Sequence, residues 1–185
     1  MDWVGYAVLA AIGLYSIMVY NSLVRLRARA AQAYADVDVQ LKQRHDLIPN
    51  LVETVKGYAA HERDTLDAVV RARNEAVAAK GPAQQASAEA ALNGTLGRLM
   101  ALGEAYPDLK ADENFRQLQT ELSETEDKLA AARRFFNNAV SEYNAAIQSF
   151  PALLFSRLMG FLPREFFDLG EGERQRLDVA PQVKF

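Results

Sequence analysis

The feature that most constrains this chain is an uncharged apolar run near its N-terminus, WVGYAVLAAIGLYSIMVY at residues 3–20. As a helix the run would be roughly 27 Å long, which is enough to cross the hydrocarbon core of a bilayer. Aromatic side chains favour the two membrane interfaces. They occur towards both ends of this run, at Trp3, Tyr6, Tyr15 and Tyr20. The run therefore predicts a transmembrane anchor, which we assign to residues 1–21.

The charges beside the run predict its orientation. Arg25, Arg27 and Arg29 follow it before any acidic residue, whereas Asp2 precedes it. The positive-inside rule then places the C-terminal domain in the cytoplasm, so we expect a single-pass protein of a bacterial cytoplasmic membrane with its N-terminus outside. A cleaved signal peptide is disfavoured, because an acidic residue stands where a basic segment belongs. Small residues such as Gly13 would allow copies of the anchor to pack closely.

Beyond the anchor, apolar residues recur at spacings of three and four, the period of one buried helix face. The stripe consists of Tyr34, Val37, Leu41, Ile48, Leu51, Val55, Tyr58, Leu66 and Val69. It predicts that the anchor continues into a long helix ending near Ala79, before Gly81 and Pro82. Pro49 removes one helical hydrogen bond, so we expect it to kink or divide this helix.

Two further helices are predicted, at residues 84–104 and 112–148, the second with a regular stripe of large apolar side chains. No segment alternates with the period of a strand. We therefore expect an all-α protein, in which the N-terminal transmembrane helix continues into an antiparallel bundle of long helices. The bundle is assigned to residues 22–168, and residues 169–185 read as a polar C-terminal tail.

Composition and motifs argue against catalysis and nucleic-acid binding. The net charge of −3 provides no basic footprint for nucleic acid, and the absence of cysteine excludes thiolate chemistry. Neither histidine lies in a metal-binding motif, and no phosphate loop or nucleophile motif occurs. We predict a non-enzyme without cofactor or metal. An enzyme would require His45, Asp46, Glu53 and His61 to converge, although their spacing places them on different helix faces.

Charged residues on the first apolar stripe are the strongest site candidates. Continuing the stripe at its own spacing reaches Arg44 and Glu62, and buried charges require partners. The 112–148 helix offers acidic acceptors and basic donors: Glu121, Glu124, Glu126, Arg133 and Arg134. We predict a structural polar network that includes Arg44, Glu62, Glu121, Glu124 and Arg133. The alternative is that these charges lie on a solvated rim.

The segment 152–167 is dense in large apolar residues, with Gly160 and Pro163 as helix breakers. One short helix and an irregular continuation are expected here. Burial in the bundle, or between subunits, is the favoured interpretation, and an interfacial helix beside the membrane is the alternative.

Several segments resemble the LemA family: YNSLVRLR at 20–27, VDVQLKQRHDLIPNLVETVKGYAAHE at 37–62, AR at 72–73, YPDLKADENFRQLQTELSETEDKLAAARRFFNNAVSEYNAAIQSFP at 106–151 and GF at 160–161. Tyr34 and Phe136 stand where the family often has tryptophan and tyrosine. The resemblance implies a cytoplasmic helical bundle on one membrane helix, in a bacterial family without an assigned enzymatic activity. A relative takes part in magnetosome membrane formation, which makes a membrane-organising role plausible by analogy.

Two roles follow from these expectations. The first is a scaffold that associates with itself, in which case the partners are the lipid bilayer and further copies of the chain. The second is an adaptor that presents the bundle to an unknown protein partner in an envelope-stress or signalling pathway.

Overall fold

The computed structural model describes residues 2–168, and within this range the protein contains helices and no strand. Its elements are α1 (Asp2–Tyr58), α2 (Arg63–Ala78), α3 (Pro82–Ala105), α4 (Pro107–Ala111), α5 (Glu113–Gln148) and a 3₁₀ turn (Ala152–Leu154). The all-α class with one long apolar N-terminal helix is thereby confirmed. The tail predicted at residues 169–185 lies outside the described residues.

Helix α1 runs through Pro49 and ends at Tyr58, so the predicted end near Ala79 is wrong. The chain turns at residues 59–62 and continues in α2. Four residues are close to one helical turn, so the apolar spacing stays in phase across the break and conceals it. Tyr58, expected on the buried face, is exposed beside this turn.

The other helix ends follow local chemistry. Gly81 adopts a φ of 83°, a left-handed conformation that glycine tolerates, and Pro82 then occupies the first turn of α3, where a missing N–H costs nothing. Proline also begins the short helix α4. The short helix expected after residue 150 is the single 3₁₀ turn, and irregular structure follows it, in which Gly160 also has a positive φ.

The described residues form two compact units. Unit 1 contains residues 2–37 and 132–165, and its C-terminal segment packs in a cluster of Leu23, Tyr143, Ile147, Ala152 and Phe161. Unit 2 contains residues 38–131 and 166–168, and its core gathers aliphatic side chains from α1, α2 and α3 with Leu109 of α4 and Phe115 of α5. The predicted division into an anchor of residues 1–21 and a bundle of residues 22–168 stays a prediction.

Candidate functional site

A buried ionic cluster lies in unit 2, centred on Glu89 of α3. The Glu89 side chain is 1% exposed, and its two carboxylate oxygens contact neighbouring residues of α1. Arg44 donates from Nη1 to Oε2 at 2.8 Å, and the His45 Nε2 atom lies 2.6 Å from Oε1. An ionised carboxylate only accepts hydrogen bonds, so with Glu89 ionised the His45 Nε2 atom is the donor.

The Arg44 guanidinium connects three helices. Besides Glu89, it donates to the Oδ1 atom of Asn93, which lies one helical turn further along α3. Its Nη1 atom also lies 3.2 Å from Oε2 of Glu126 on α5, a side chain that is 39% exposed. The fixed planar fork of arginine suits several acceptors at once, so this one side chain joins α1, α3 and α5 within unit 2.

The composition of this cluster differs from the predicted network. Glu62 lies in the turn before α2, half-buried, where its Oε1 atom accepts a hydrogen bond from the Tyr106 hydroxyl at 3.4 Å. Glu121 accepts from Gln117 on its own helix, and Glu124 is exposed. The structure therefore does not place Glu62, Glu121 or Glu124 around Arg44. For Glu62 the reason is the break after Tyr58, which takes this residue off the α1 face.

Arg133, the remaining member of the predicted network, is half-buried in the part of α5 that belongs to unit 1. Arg134, its neighbour among the predicted donors, is exposed in the same unit.

Sequence reasoning missed Glu89, Asn93 and the pairing of His45. A signal for Glu89 was present, because it precedes Leu92 by three residues and so shares the buried face of α3. The residues required for an enzyme do not converge: His45 is buried, whereas Asp46, Glu53 and His61 are exposed. Among residues 2–168, no group of three or more histidine, aspartate or glutamate side chains could hold a metal ion.

The backbone beside this cluster contains the carbonyl that Pro49 leaves without its helical partner. Because proline has no N–H, the His45 carbonyl cannot accept the usual bond from four residues later. Arg73 of α2 donates from Nε to this oxygen at 3.3 Å. A side chain thus replaces the missing backbone donor, which explains how α1 continues through Pro49.

Asp112 links the start of α5 to the end of α1 inside unit 2. Its Oδ1 atom accepts from the Phe115 N–H at 2.8 Å, which is an N-cap, and its Oδ2 atom accepts from the Tyr58 hydroxyl at 2.9 Å. The bond from the Phe115 N–H, followed by that from Tyr58, lowers the pKa of the Asp112 carboxyl. The same hydrogen bond to Asp112 raises the pKa of Tyr58.

The N-terminal part of α1 has the length and apolar composition to cross a bilayer, and it is the one such helix among the described residues. Every residue from Trp3 to Met18 is exposed, including Tyr6 and Gly13. Tyr20, at the end of the run, is 42% exposed and its ring packs edge-on against Phe161.

The three arginines after the run differ in their contacts. Arg25 is exposed, and the Arg27 guanidinium stacks over the Phe161 ring at 5.5 Å from its centroid. Arg29 forms an exposed ion pair with Glu142 at 2.8 Å. At least one of the charges used for the orientation argument is therefore partly compensated in unit 1.

Comparison with known proteins gives consistent matches. The chain is 27% identical to magnetosome protein MamQ of Magnetospirillum gryphiswaldense over 177 residues, covering 82% of this chain and 65% of that protein. It is 25% identical to protein LemA of Metamycoplasma hominis over 164 residues, covering 86% of this chain and 74% of that protein. The chain thus spans slightly less than two thirds of the length of the MamQ relative.

The model of the LemA family matches residues 33–185, which is most of the sequence and includes Arg44 and Glu89. The chain belongs to the LemA family.

Proposed function

We propose that this protein is a non-enzymatic scaffold, anchored in the bacterial cytoplasmic membrane by α1, whose copies associate to organise the bilayer around them. The observation that carries the proposal is the character of α1: it begins as an exposed apolar run and continues, as the same helix, into side chains with no exposure such as Val37 and Leu51. A run of this kind is stable in lipid and costly in water. The names of the MamQ relatives, which are magnetosome proteins, agree with a role at a membrane.

Self-association is proposed through one face of the anchor. Gly5, Gly13 and Ser16 lie on the same side of the helix at 3.6 residues per turn, and both glycines have open space around them. Small residues let two helix backbones approach closely in lipid. Tethering to a bilayer also raises the effective concentration of copies, so weak contacts are sufficient.

The test is the mass of the full chain in mild detergent by light scattering, beside a variant without residues 1–21. The scaffold predicts a defined oligomer of the 20.5 kDa chain that dissociates when the anchor is removed. Gly13→Leu should reduce the oligomer by filling the proposed contact face. Ala7→Leu, a substitution on the opposite face of the helix, is the matched control and should leave the mass unchanged. A monomer in every case would contradict the scaffold.

An adaptor is the second candidate, favoured by an open groove in unit 2. The groove has a volume of about 460 Å³, and its walls include Leu96, Met100 and Leu122 beside Asn93 and Arg44. Apolar walls with a few fixed polar groups are typical of a surface that receives a partner side chain or helix. A photo-crosslinking residue at exposed Gly97 in this groove should give a heterologous product at fixed stoichiometry if the protein is an adaptor. Crosslinks only between copies of this chain would support the scaffold.

A further inference from the structure

The segment of residues 150–162, here called the foot segment, has two different faces. On the inner face, Ala152, Ser156 and Phe161 are buried in unit 1. The outer face exposes six large apolar side chains: Phe150, Leu153, Leu154, Leu158, Met159 and Leu162. Leu158 is 89% exposed and Phe150 is 80% exposed. A contiguous stretch of this kind on one short segment is a hallmark of an interaction surface.

The foot segment is held in place rather than loosely attached. The Tyr143 hydroxyl donates to the Leu162 carbonyl at 2.9 Å, and Ser156 donates to the Ile147 carbonyl at 3.2 Å. Just beyond the segment, Asn144 makes two hydrogen bonds of 2.9 Å with the Arg164 backbone. The outward orientation of the apolar side chains is thus fixed by contacts to α5.

The position of the foot segment along α1 identifies what it faces. Phe161 contacts Tyr20, the last residue of the apolar run, with ring centroids 5.5 Å apart. Phe161 also packs in the cluster that contains Leu23, which at ~1.5 Å per residue lies roughly 4.5 Å beyond Tyr20 along the helix. The interfacial layer on each side of the hydrocarbon core is about 5–7 Å thick. If α1 spans a bilayer from Trp3 to Tyr20, the foot segment lies in this layer.

Charge around the foot segment suits an anionic headgroup layer. Arg157 is exposed on the segment itself, Arg27 stacks on Phe161, and Arg25 is exposed on the adjoining part of α1. Within residues 143–164 there is no acidic side chain. Apolar side chains interleaved with arginine are the composition of segments that lie in a membrane interface.

We propose that the foot segment is a second membrane contact, which inserts Leu153, Leu154 and Leu158 into the headgroup and acyl boundary of the bilayer that α1 crosses. The proposal rests on the proposed function in one respect, because it requires α1 to be the anchor. The foot segment then gives unit 1 a second attachment to the bilayer besides the transmembrane helix. Two attachments restrict the rotation of unit 1 about the axis of α1.

The absence of native cysteine makes a direct test possible. Single cysteines at Leu158, Leu14 and Val77 in the full chain are labelled with an environment-sensitive fluorophore and reconstituted in vesicles of phosphatidylcholine and phosphatidylglycerol. Leu14 lies in the anchor, and Val77 is an exposed apolar residue of unit 2 that serves as the matched control. Lipids that carry a nitroxide on the acyl chain then quench labels in contact with lipid.

The proposal predicts several-fold quenching at Leu158 and Leu14 and little at Val77. Quenching at Leu14 without quenching at Leu158 would overturn the second contact while the anchor stands. A blue-shifted but unquenched label at Leu158 would mean that a second copy of the chain covers the segment, which also overturns the proposal. An unquenched label at Leu14 would refute the anchor, and with it the proposed function.

Discussion

Glu89 is the side chain whose replacement tests the buried cluster most directly. Glu89→Ala would leave the Arg44 guanidinium, whose side chain is 6% exposed, without its closest acidic partner. Breaking a buried ion pair by removing one partner costs about 3–5 kcal/mol. Arg44 would keep Asn93 and the half-exposed Glu126, which places the expected loss near the lower limit, at about 3 kcal/mol. Glu89→Gln preserves shape but loses charge-assisted bonds, so about 2 kcal/mol is expected.

The assay is urea unfolding of the full chain in detergent, monitored by far-ultraviolet circular dichroism. Variants are compared with the same dependence of the unfolding free energy on urea concentration. Glu124→Gln, an exposed glutamate on α5, is the matched control and should change the free energy of unfolding by less than about 0.5 kcal/mol. The double variant Arg44→Met with Glu89→Leu removes both charges and should cost at least about 2 kcal/mol less than the sum of its single changes. Losses within about 0.5 kcal/mol for both Glu89 variants would refute the reasoning.

Three further predictions test the helix contacts. Arg73→Met should lower the free energy of unfolding by about 1 kcal/mol, because the His45 carbonyl loses its donor. In a chain that already carries Pro49→Ala the same change should have little effect, because the alanine N–H then donates to that carbonyl. If the effects of the two substitutions on urea unfolding were fully additive, this explanation would be wrong. Gly103→Ala should destabilise the protein by about 1 kcal/mol, since the new Cβ would lie 2.8 Å from the buried ring of Phe115. Gly97→Ala, in open space, should stabilise it by up to about 1 kcal/mol. If both variants were stabilised equally in thermal unfolding, the Phe115 ring must move aside. Because the pKa of the Asp112 carboxyl is lowered on folding, it gives stability that is present above its unfolded pKa of about 4 and is lost as pH falls through the folded pKa. The urea midpoint of the native chain should therefore fall more steeply in acid than that of Asp112→Asn. Parallel plots of the two midpoints against pH would contradict the N-cap.

Much of the fold was predictable because its signals are local. The uncharged run before Arg25 identifies the apolar helix by length alone, and Gly81 with Pro82 marks a helix boundary through backbone geometry. The turn at residues 59–62 could not be found in this way. Its four residues keep Leu66 in phase with Val55, so the pattern of a single helix and that of a hairpin are the same.

The partner of Arg44 was not predictable from spacing, because it depends on which helix packs against α1. Glutamates are frequent in α5, which made that helix the expected source of acidic partners, whereas Glu89 is an isolated glutamate in the alanine-rich helix α3. Burial of Arg44 follows from the stripe on its own helix, whereas its pairing with Glu89 is a property of tertiary packing. Local periodicity indicates the helix face on which a residue lies, but not which residue of another helix it contacts.

The alanine-rich composition of α3 offers a physical reason for the buried cluster. Near its start the buried face of α3 carries the small side chain of Ala86, and the large side chains of Leu92, Leu96 and Leu99 follow further along, so apolar packing beside Glu89 leaves the register against α1 some freedom. Glu89 removes that freedom, since any other register would bury its carboxylate without Arg44 and His45. A buried polar group can select one register even where apolar residues would give equal stability. The double apolar variant should therefore retain its helix content while its backbone amides in α3 lose protection from hydrogen exchange, and undiminished protection would show that packing alone sets the register.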